Sequence, residues 1–172
     1  MIADVVRESF IVNPIGYVES KYDHFGDVPH SHGNRSWVED TSTIVLYPEH
    51  ARKIEGLEGY SHIIVLYWIH KSDKWKMPKH HHKPLNVKVF ATRMPVRPNP
   101  IGLSVVKILD FSSDNGKLLV KGLDALNGTP ILDIKPYIPN FDSYPEASLP
   151  EWVGSHLKEH HHAGNNEQYS EE

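Results

Sequence analysis

Short apolar runs, each ended by Gly, Pro or Asn, set the narrowest limit on what this chain can fold into. They cover residues 10–18, interrupted at Asn13-Pro14, and residues 43–47, 62–69, 87–92, 103–109, 118–123 and 131–134. Runs of this length without long helices between them argue against a parallel sheet with crossover helices. We therefore predict a mainly β fold, a small closed antiparallel β-barrel.

Turn and cap signals place the remaining elements. Asp114-Asn115-Gly116 between two apolar runs is the clearest hairpin signal. Two segments are predicted to be helical because each starts with Pro at a first-turn position: residues 48–54, which end before Gly56, and residues 150–160. The barrel thus carries only one or two short helices.

The length of 172 residues and an apolar content of 39% suit one ordinary domain. We assign residues 1–148 to the barrel domain and residues 149–172 to a short helix and a polar, acidic tail that we expect to be disordered. The chain has no Cys, which excludes disulfides, a thiolate nucleophile and a cysteine-based zinc site. It shows neither a secretory signal nor a long apolar span, so we expect a soluble, cytoplasmic protein.

Charge is unevenly distributed along the chain, whose formal net charge is -4. Residues 71–97 hold eight Lys and Arg against one Asp, whereas the segments on both sides are acidic. One reading is a solvated lysine loop, and the other is a local patch that contacts phosphates. Two histidine triplets, at residues 80–82 and 160–162, lack the spaced partners of a tetrahedral site, and we predict no metal there.

The stretch "ATRMPVRPNPIG", residues 91–102, combines two Arg with three Pro. The prolines fix their own φ angles and push the preceding residues toward extended conformations, so this loop has few shapes available. A preorganised loop can hold Arg93 or Arg97 where a guanidinium would recognise a carboxylate or another anion. Proline-rich turns also close barrels without binding anything, and that alternative stays open.

Two long blocks carry a resemblance to a known family. "VFATRMPVRPNPIGLSVVKI" (residues 89–108) and "GLDALNGTPILDIKPYIPNFDS" (residues 122–143) resemble the TsaA-like family, also called YaeB-like or TrmO-type. The stretches "PIGYVESKY" (residues 14–22) and "GLEGYSHIIVLYWIH" (residues 56–70) agree with it, and the likeness spans roughly residues 10–145.

The resemblance implies an S-adenosylmethionine-dependent methyltransferase built on a small β-barrel. Its members methylate N6 of threonylcarbamoyladenosine, the modified base next to the anticodon of certain tRNAs. They form homodimers with cofactor sites at or near the subunit interface. The sequence is consistent with such a barrel, because it has no G-x-G-x-x-G motif after a strand, the motif by which a Rossmann-type sheet binds its cofactor.

Matching motifs also imply the site residues. The implied cofactor contacts are Ser20, Lys21, Tyr22, Ser61, His62, Arg93, Leu103, Asp124, Ala125, Leu126 and Asn127. In chemical terms Arg93 would bind the methionine carboxylate, and Asp124 would accept hydrogen bonds from the ribose hydroxyls. Leu103 and Leu126 would form an apolar slot for adenine.

The "DIKPY" stretch supplies the candidate catalytic residues Asp133, Lys135 and Tyr137. The target nitrogen is urea-like and poorly nucleophilic, so a base within reach would help, and Asp133 is our first candidate. The alternation in residues 131–135 could equally place Asp133 and Lys135 on the solvated face of a strand.

A tRNA substrate would need cations, and residues 71–97 are the candidate surface, with Trp75 either stacking on a loop base or pinning the loop to the barrel. Two alternatives remain beside the tRNA methyltransferase. One is an S-adenosylmethionine-binding module without catalysis, and the other is a methyltransferase acting on a non-tRNA substrate.

Overall fold

The computed structural model describes residues 9–28, 38–76 and 86–154. Within these ranges the strands close into an antiparallel barrel with the neighbour order β1-β2-β5-β4-β3-β6. The strands are β1 Gly16–Glu19, β2 Thr41–Leu46, β3 His62–Trp68, β4 Ile101–Ser112, β5 Lys117–Lys121 and β6 Pro130–Pro136. The predicted mainly β, closed antiparallel barrel is confirmed.

The barrel is filled by every second residue of its strands. In β3 the residues Ile63, Val65 and Tyr67 are buried, and their neighbours in sequence are not. This alternation follows from the two-residue repeat of a strand, and β-branched residues suit the pleated wall. The core continues through the other strands with Val18, Ile44, Val106, Leu118, Val120 and Ile131.

The predicted hairpin and the first predicted helix both form. Gly116 has φ +65°, the left-handed conformation that lets the chain turn from β4 into β5. Pro48–Ile54 forms a 3₁₀ helix with the predicted bounds, and its Ala51 and Ile54 are buried. A further single helical turn, α1, covers Pro139–Asp142.

Residues 87–92 do not form the predicted strand. They contain a 3₁₀ turn, Val89–Ala91, and Phe90 is 77% exposed. The hydroxyl of Thr92 donates to the carbonyl of Val89 at 2.8 Å and accepts from the amide of Met94 at 3.3 Å. These local bonds replace strand pairing, which apolar content alone could not reveal. The first apolar run likewise becomes a strand only from Gly16 onward, after Pro14.

Several other predictions fall partly or wholly outside the described residues. Of the predicted helix at 150–160, residues 151–154 are helical, residue 150 is not, and residues 155–160 lie outside, as do both histidine triplets and the residues that follow. The division into residues 1–148 and 149–172 stays a prediction. Within the described ranges, no helix has both the length and the apolar character that a membrane span requires.

Candidate functional site

The three predicted catalytic residues follow one another along β6 and just beyond it, beside β3. In the strand register, Leu66 lies between Asp133 and Leu103, and Ile64 lies between Lys135 and Val105. Adjacent strands are about 4.8 Å apart, so Asp133 and Leu103 are about 10 Å apart across the wall. The outer surface of β6, β3 and β4 therefore presents a carboxylate and an ammonium beside an apolar strip.

A β-bulge gives Asp133 its outward direction. Ile131 pairs with Tyr67 and Asp133 pairs with Leu66, so Leu132 is an extra residue on β6. Ile131 is fully buried. In a regular strand residues two apart share a face, so without the bulge Asp133 would also point into the core. The bulge thus turns Asp133 and Lys135 out of the core.

Asp133 and Lys135 form an ion pair in which Nζ and Oδ2 are 2.7 Å apart. The hydrogen bond and then the charge of Asp133 raise the pKa of Lys135. Both side chains remain about half exposed, at 44% and 58%. The pair is therefore accessible to a ligand on the outer wall.

Tyr137, Ser61 and His62 lie together at the start of β3. The amide of Tyr137 donates to the carbonyl of His62 at 3.1 Å, and the two rings meet edge to face with centroids 6.4 Å apart. Ser61 Oγ is 2.9 Å from His62 Nδ1. Leu66 is the β3 partner of Leu103, and His62 lies four residues before Leu66, about 13 Å away along the strand. Ser61 and His62 thus group with Tyr137 and not with Leu103.

The two predicted cofactor loops, residues 20–22 and 124–127, are bonded to each other. Ser20 Oγ donates to the carbonyl of Ala125 at 2.9 Å, and the Ser20 amide donates to Asn127 Oδ1 at 3.3 Å. In return, the amide of Asn127 donates to the carbonyl of Tyr22 at 2.6 Å. Leu126 is buried with Tyr22 and Val28, so its side chain anchors the loops and is not open to a ligand.

Arg93 and Arg97 have different surroundings. Arg97 Nη1 donates to the carbonyls of Thr92 and Met94, at 3.1 and 3.5 Å, and so braces its own loop. Arg93 Nη2 donates to the carbonyl of Leu103 at 3.4 Å. Within the described part of the chain Arg93 has no ion-pair partner. Of the two, Arg93 is the guanidinium available to an anion.

Asp124 binds to the residue that follows Leu103 on β4. Its Oδ1 accepts hydrogen bonds from the hydroxyls of Tyr67 and Ser104, at 2.9 and 2.6 Å. Arg93, Leu103, Asp124 and the paired loops therefore gather around one end of β4. The first six residues of β4, from Ile101 onward, have no partner on β5, because the pairing of β4 with β5 starts at Lys107.

Asp40, which the sequence did not single out, connects these loops. Its carboxylate accepts from Lys21 Nζ at 2.8 Å and from the hydroxyl of Tyr22. Its backbone carbonyl accepts from the amide of Gly122 at 3.0 Å. Lys21 Nζ also lies 5.4 Å from the centre of the Tyr22 ring. Asp40 therefore ties the 20–22 loop to the start of the 122–127 segment.

The Tyr22–Asp40 contact predicts a stability loss at both extremes of pH. Hydrogen bonds from Lys21 and then Tyr22 hold the pKa of Asp40 below its ordinary 3.8, so its contribution is full above about pH 4 and is lost as pH falls further. Burial and then the Asp40 hydrogen bond raise the pKa of Tyr22 above its ordinary 10.0, so that contribution is full below pH 10 and is lost as pH rises.

Urea unfolding between pH 2 and pH 11 checks this expectation. Tyr22→Phe should weaken the alkaline decline in the free energy of unfolding and lower stability at pH 7 by about 1–2 kcal/mol, because Asp40 loses a donor. Tyr144→Phe, at a 68% exposed tyrosine, is the matched control. An alkaline decline that is the same in wild type and Tyr22→Phe would contradict the prediction.

Sequence reasoning missed Asp40, Tyr67 and Ser104. For Tyr67 and Ser104 a weak signal existed, since alternation in both strands directs them inward and a buried hydroxyl needs a partner. Asp40 gave no signal, because its partners are 18 residues or more away along the chain.

Only part of the basic segment falls in the described ranges. Lys71 Nζ donates to the carbonyl of Asp23 at 2.9 Å, which attaches the segment to the 20–23 loop. Trp75 is half-buried, and Lys74 and Lys76 are exposed. Lys79 and Lys83 lie outside the described residues. In residues 9–28, 38–76 and 86–154, no cluster of acidic, His or Cys side chains could hold a metal ion.

A closed barrel whose loops bring a guanidinium and a hydrogen-bonded carboxylate to one strand end defines a small ligand-binding β-barrel protein. The chain belongs to the tRNA-methyltransferase O N-terminal domain family, whose model matches residues 17–143.

Three relatives illustrate the range of that family. A "Probable S-adenosyl-L-methionine-binding protein" of Methanothermobacter thermautotrophicus is 40% identical over 136 residues, covering 77% of this chain and 93% of that protein. The human "tRNA (adenine(37)-N6)-methyltransferase" is 32% identical over 165 residues, which is 91% of this chain and 36% of that protein. The crystal structure of TrmO from Pseudomonas aeruginosa matches with a TM-score of 0.67 at 34% identity, covering 82% of this chain and 62% of that chain.

Proposed function

We propose that this protein transfers a methyl group from S-adenosylmethionine to N6 of threonylcarbamoyladenosine beside the anticodon of tRNA. The family match over residues 17–143 carries the proposal. The chain spans about a third of the human relative and under two thirds of the Pseudomonas structure, which both carry further sequence. A tRNA substrate would place the activity in the cytoplasm.

The cofactor fits the group around β4. Arg93 has no acidic partner among the described residues and suits the methionine carboxylate. Asp124 suits a ribose hydroxyl, since its Oδ2 accepts no hydrogen bond from the described residues. The Leu103 side chain is 46% exposed and offers apolar contact on the outer wall. When bound, the cofactor supplies a methyl group on a sulfonium that needs no acid to leave.

Asp133 is the proposed general base. Its half-exposed carboxylate can accept the N6 proton, and Lys135 at 2.7 Å holds it in place. Tyr137 follows on the same wall beside His62 and would border the target base. Most of the rate enhancement is expected from holding the reacting atoms in line, an effect worth up to ~7–11 kcal/mol.

A second copy of this chain would complete the site. His62 lies about 13 Å along β3 from the level of Leu103, and Ser61 is one residue further away, so both are too far for direct contact with the Arg93 group. Around the level of Leu103 the outer wall exposes Trp68, Ile101 and Val105, which a homodimer would cover. Sedimentation velocity should give about twice the 19.7 kDa chain mass, and a monomer at micromolar concentration would count against this arrangement.

The exposed Lys74 and Lys76, beside Trp75, belong to the surface of residues 71–97 that we assign to the tRNA anticodon arm. Changing both to Gln should weaken tRNA binding and reduce its salt dependence, whereas a non-tRNA substrate would leave activity unaltered.

The activity is tested with purified protein, cofactor and total tRNA from strains with and without threonylcarbamoylation. Nucleoside mass spectrometry should find a methylated product only with the modified tRNA. The second candidate function is cofactor binding without catalysis, which the name of the Methanothermobacter relative favours. Binding of the cofactor without any methylated nucleoside would support that candidate.

Arg93→Ala should raise the dissociation constant for S-adenosylhomocysteine about 30-fold, or about 2 kcal/mol, because it removes one charge-assisted hydrogen-bond donor. Isothermal titration calorimetry measures this. Arg52→Ala is the control, since Arg52 is exposed and, among the residues that the structure describes, forms an ion pair with Glu55 alone. Equal affinities for wild type and Arg93→Ala would remove Arg93 from the cofactor site.

A further inference from the structure

Two buried hydroxyl groups hold a single oxygen of the Asp124 carboxylate. The hydroxyls of Tyr67, from β3, and Ser104, from β4, both donate to Oδ1, at 2.9 and 2.6 Å, and lie 3.3 Å from each other. Tyr67 and Ser104 are only 6% and 8% exposed. Two buried donors on two adjacent strands leave the carboxylate little rotational freedom.

Gly102 creates the space that the Tyr67 ring occupies. A Cβ atom at residue 102 would lie 2.2 Å from Tyr67 Cε2 and 2.3 Å from Cζ. Tyr67 and Gly102 are direct partners in the β3–β4 register, so the missing side chain lets the ring lie over β4. The glycine of the "RPNPIG" block therefore allows Tyr67 to reach Asp124.

Burial and the charge of Asp124 favour the protonated, hydrogen-bond-donating form of the Tyr67 hydroxyl. Burial and then the negative charge of Asp124 raise the pKa of Tyr67 above its ordinary value, while the positive charge of Arg93 acts in the opposite direction. Arg93 is therefore within electrostatic range of the same hydroxyl. The Arg93 guanidinium and the Asp124 carboxylate therefore act on the same hydroxyl.

We infer that Tyr67 and Ser104 are positioning residues that orient Asp124, so that Oδ2 is left to accept a hydrogen bond from a ribose hydroxyl. The inference rests on the proposed function and adds how this chain recognises the sugar of its cofactor. A carboxylate already held by two donors loses little entropy when the ligand binds.

The test is the preference for a ribose over a deoxyribose ligand. Calorimetry compares S-adenosylhomocysteine with its 2′-deoxy and 3′-deoxy analogues. The wild type should bind at least one analogue about tenfold more weakly, because one hydrogen bond to a charged group is lost. In a Tyr67→Phe, Ser104→Ala double variant this preference should largely disappear. Ser42→Ala, at a buried serine of β2 that does not bond to Asp124, should keep it.

The outcomes distinguish a failure of the positioning role of Tyr67 and Ser104 from a failure of cofactor binding itself. A folded double variant with the wild-type preference overturns the positioning role, and so does a wild type that binds all three ligands equally, while cofactor binding stands. A wild type that binds none of them overturns the proposed function and this inference together. If circular dichroism shows that the double variant is unfolded, Ser104→Ala alone, which should reduce the preference, decides the question.

Discussion

Methyl transfer by Asp133→Asn is expected to fall by about a hundredfold or more, the usual contribution of a general base. An amide cannot take the N6 proton, yet it has nearly the same shape as the carboxylate and can still contact Lys135. Cofactor affinity should therefore stay close to that of the wild type. Single-turnover methylation of threonylcarbamoylated tRNA, with calorimetry for the cofactor, measures both quantities.

Asp110→Asn is the matched control for this experiment. Asp110 is an exposed carboxylate on β4, and its Oδ1 accepts only from the amide of Phe111 among the described residues. That variant should methylate at the wild-type rate. If Asp133→Asn also kept its full rate, Asp133 would be a solvated strand residue, and catalysis would rest on positioning alone.

Gly16→Ala should lower the free energy of unfolding by at least about 3 kcal/mol, at the upper end of the cost of overpacking. A Cβ atom at this position would lie 2.3 Å from the carbonyl oxygen of Val45 and 2.8 Å from the Cα of Leu46. Both obstacles are backbone atoms, which cannot rotate away. A fall of about 10 °C in Tm is the corresponding expectation for a chain of this size.

The position of Gly16 in the barrel explains why the effect should be large. Gly16 pairs with Leu46 on β2 and with Ile131 on β6, and the β1–β6 register consists of only two residue pairs. A methyl group that displaces Gly16 would therefore disrupt the β1–β6 seam, the two pairs Gly16–Ile131 and Tyr17–Pro130 that close the barrel. Gly26→Ala is the control, because no atom of the described residues, other than those of its chain neighbours, lies within 4 Å of its added Cβ. Similar Tm values for the two variants would contradict the predicted role of the seam.

Local patterns in the sequence determined the strands, the hairpin and the barrel. Alternation in "HIIVLYW" and the Asp114-Asn115-Gly116 turn are properties of neighbouring residues, and the chain realises them as β3 and the β4–β5 hairpin. The same reasoning failed at residues 87–92, where the Thr92 hydroxyl binds nearby backbone instead.

The family resemblance pointed to Arg93 and Asp124, and the need for a base near the target nitrogen pointed to Asp133, but neither argument gave their arrangement in space. Their arrangement depends on contacts between residues far apart along the chain. The bulge at Leu132 lets Ile131 point into the core while Asp133, two residues later, points outward, the face that alternation also allowed for it. No pattern within β6 alone shows that bulge, because it exists only in the pairing with β3.

The sequence by itself thus determined which segments become strands, because periodicity and turn chemistry act over a few residues. Only the tertiary structure decided which polar groups meet. Asp124 is 57 residues from Tyr67 and 20 from Ser104, and the closure of the barrel brings the three together. Strand register and the burial of hydroxyl groups are long-range effects, and they set the geometry on which the proposed chemistry depends.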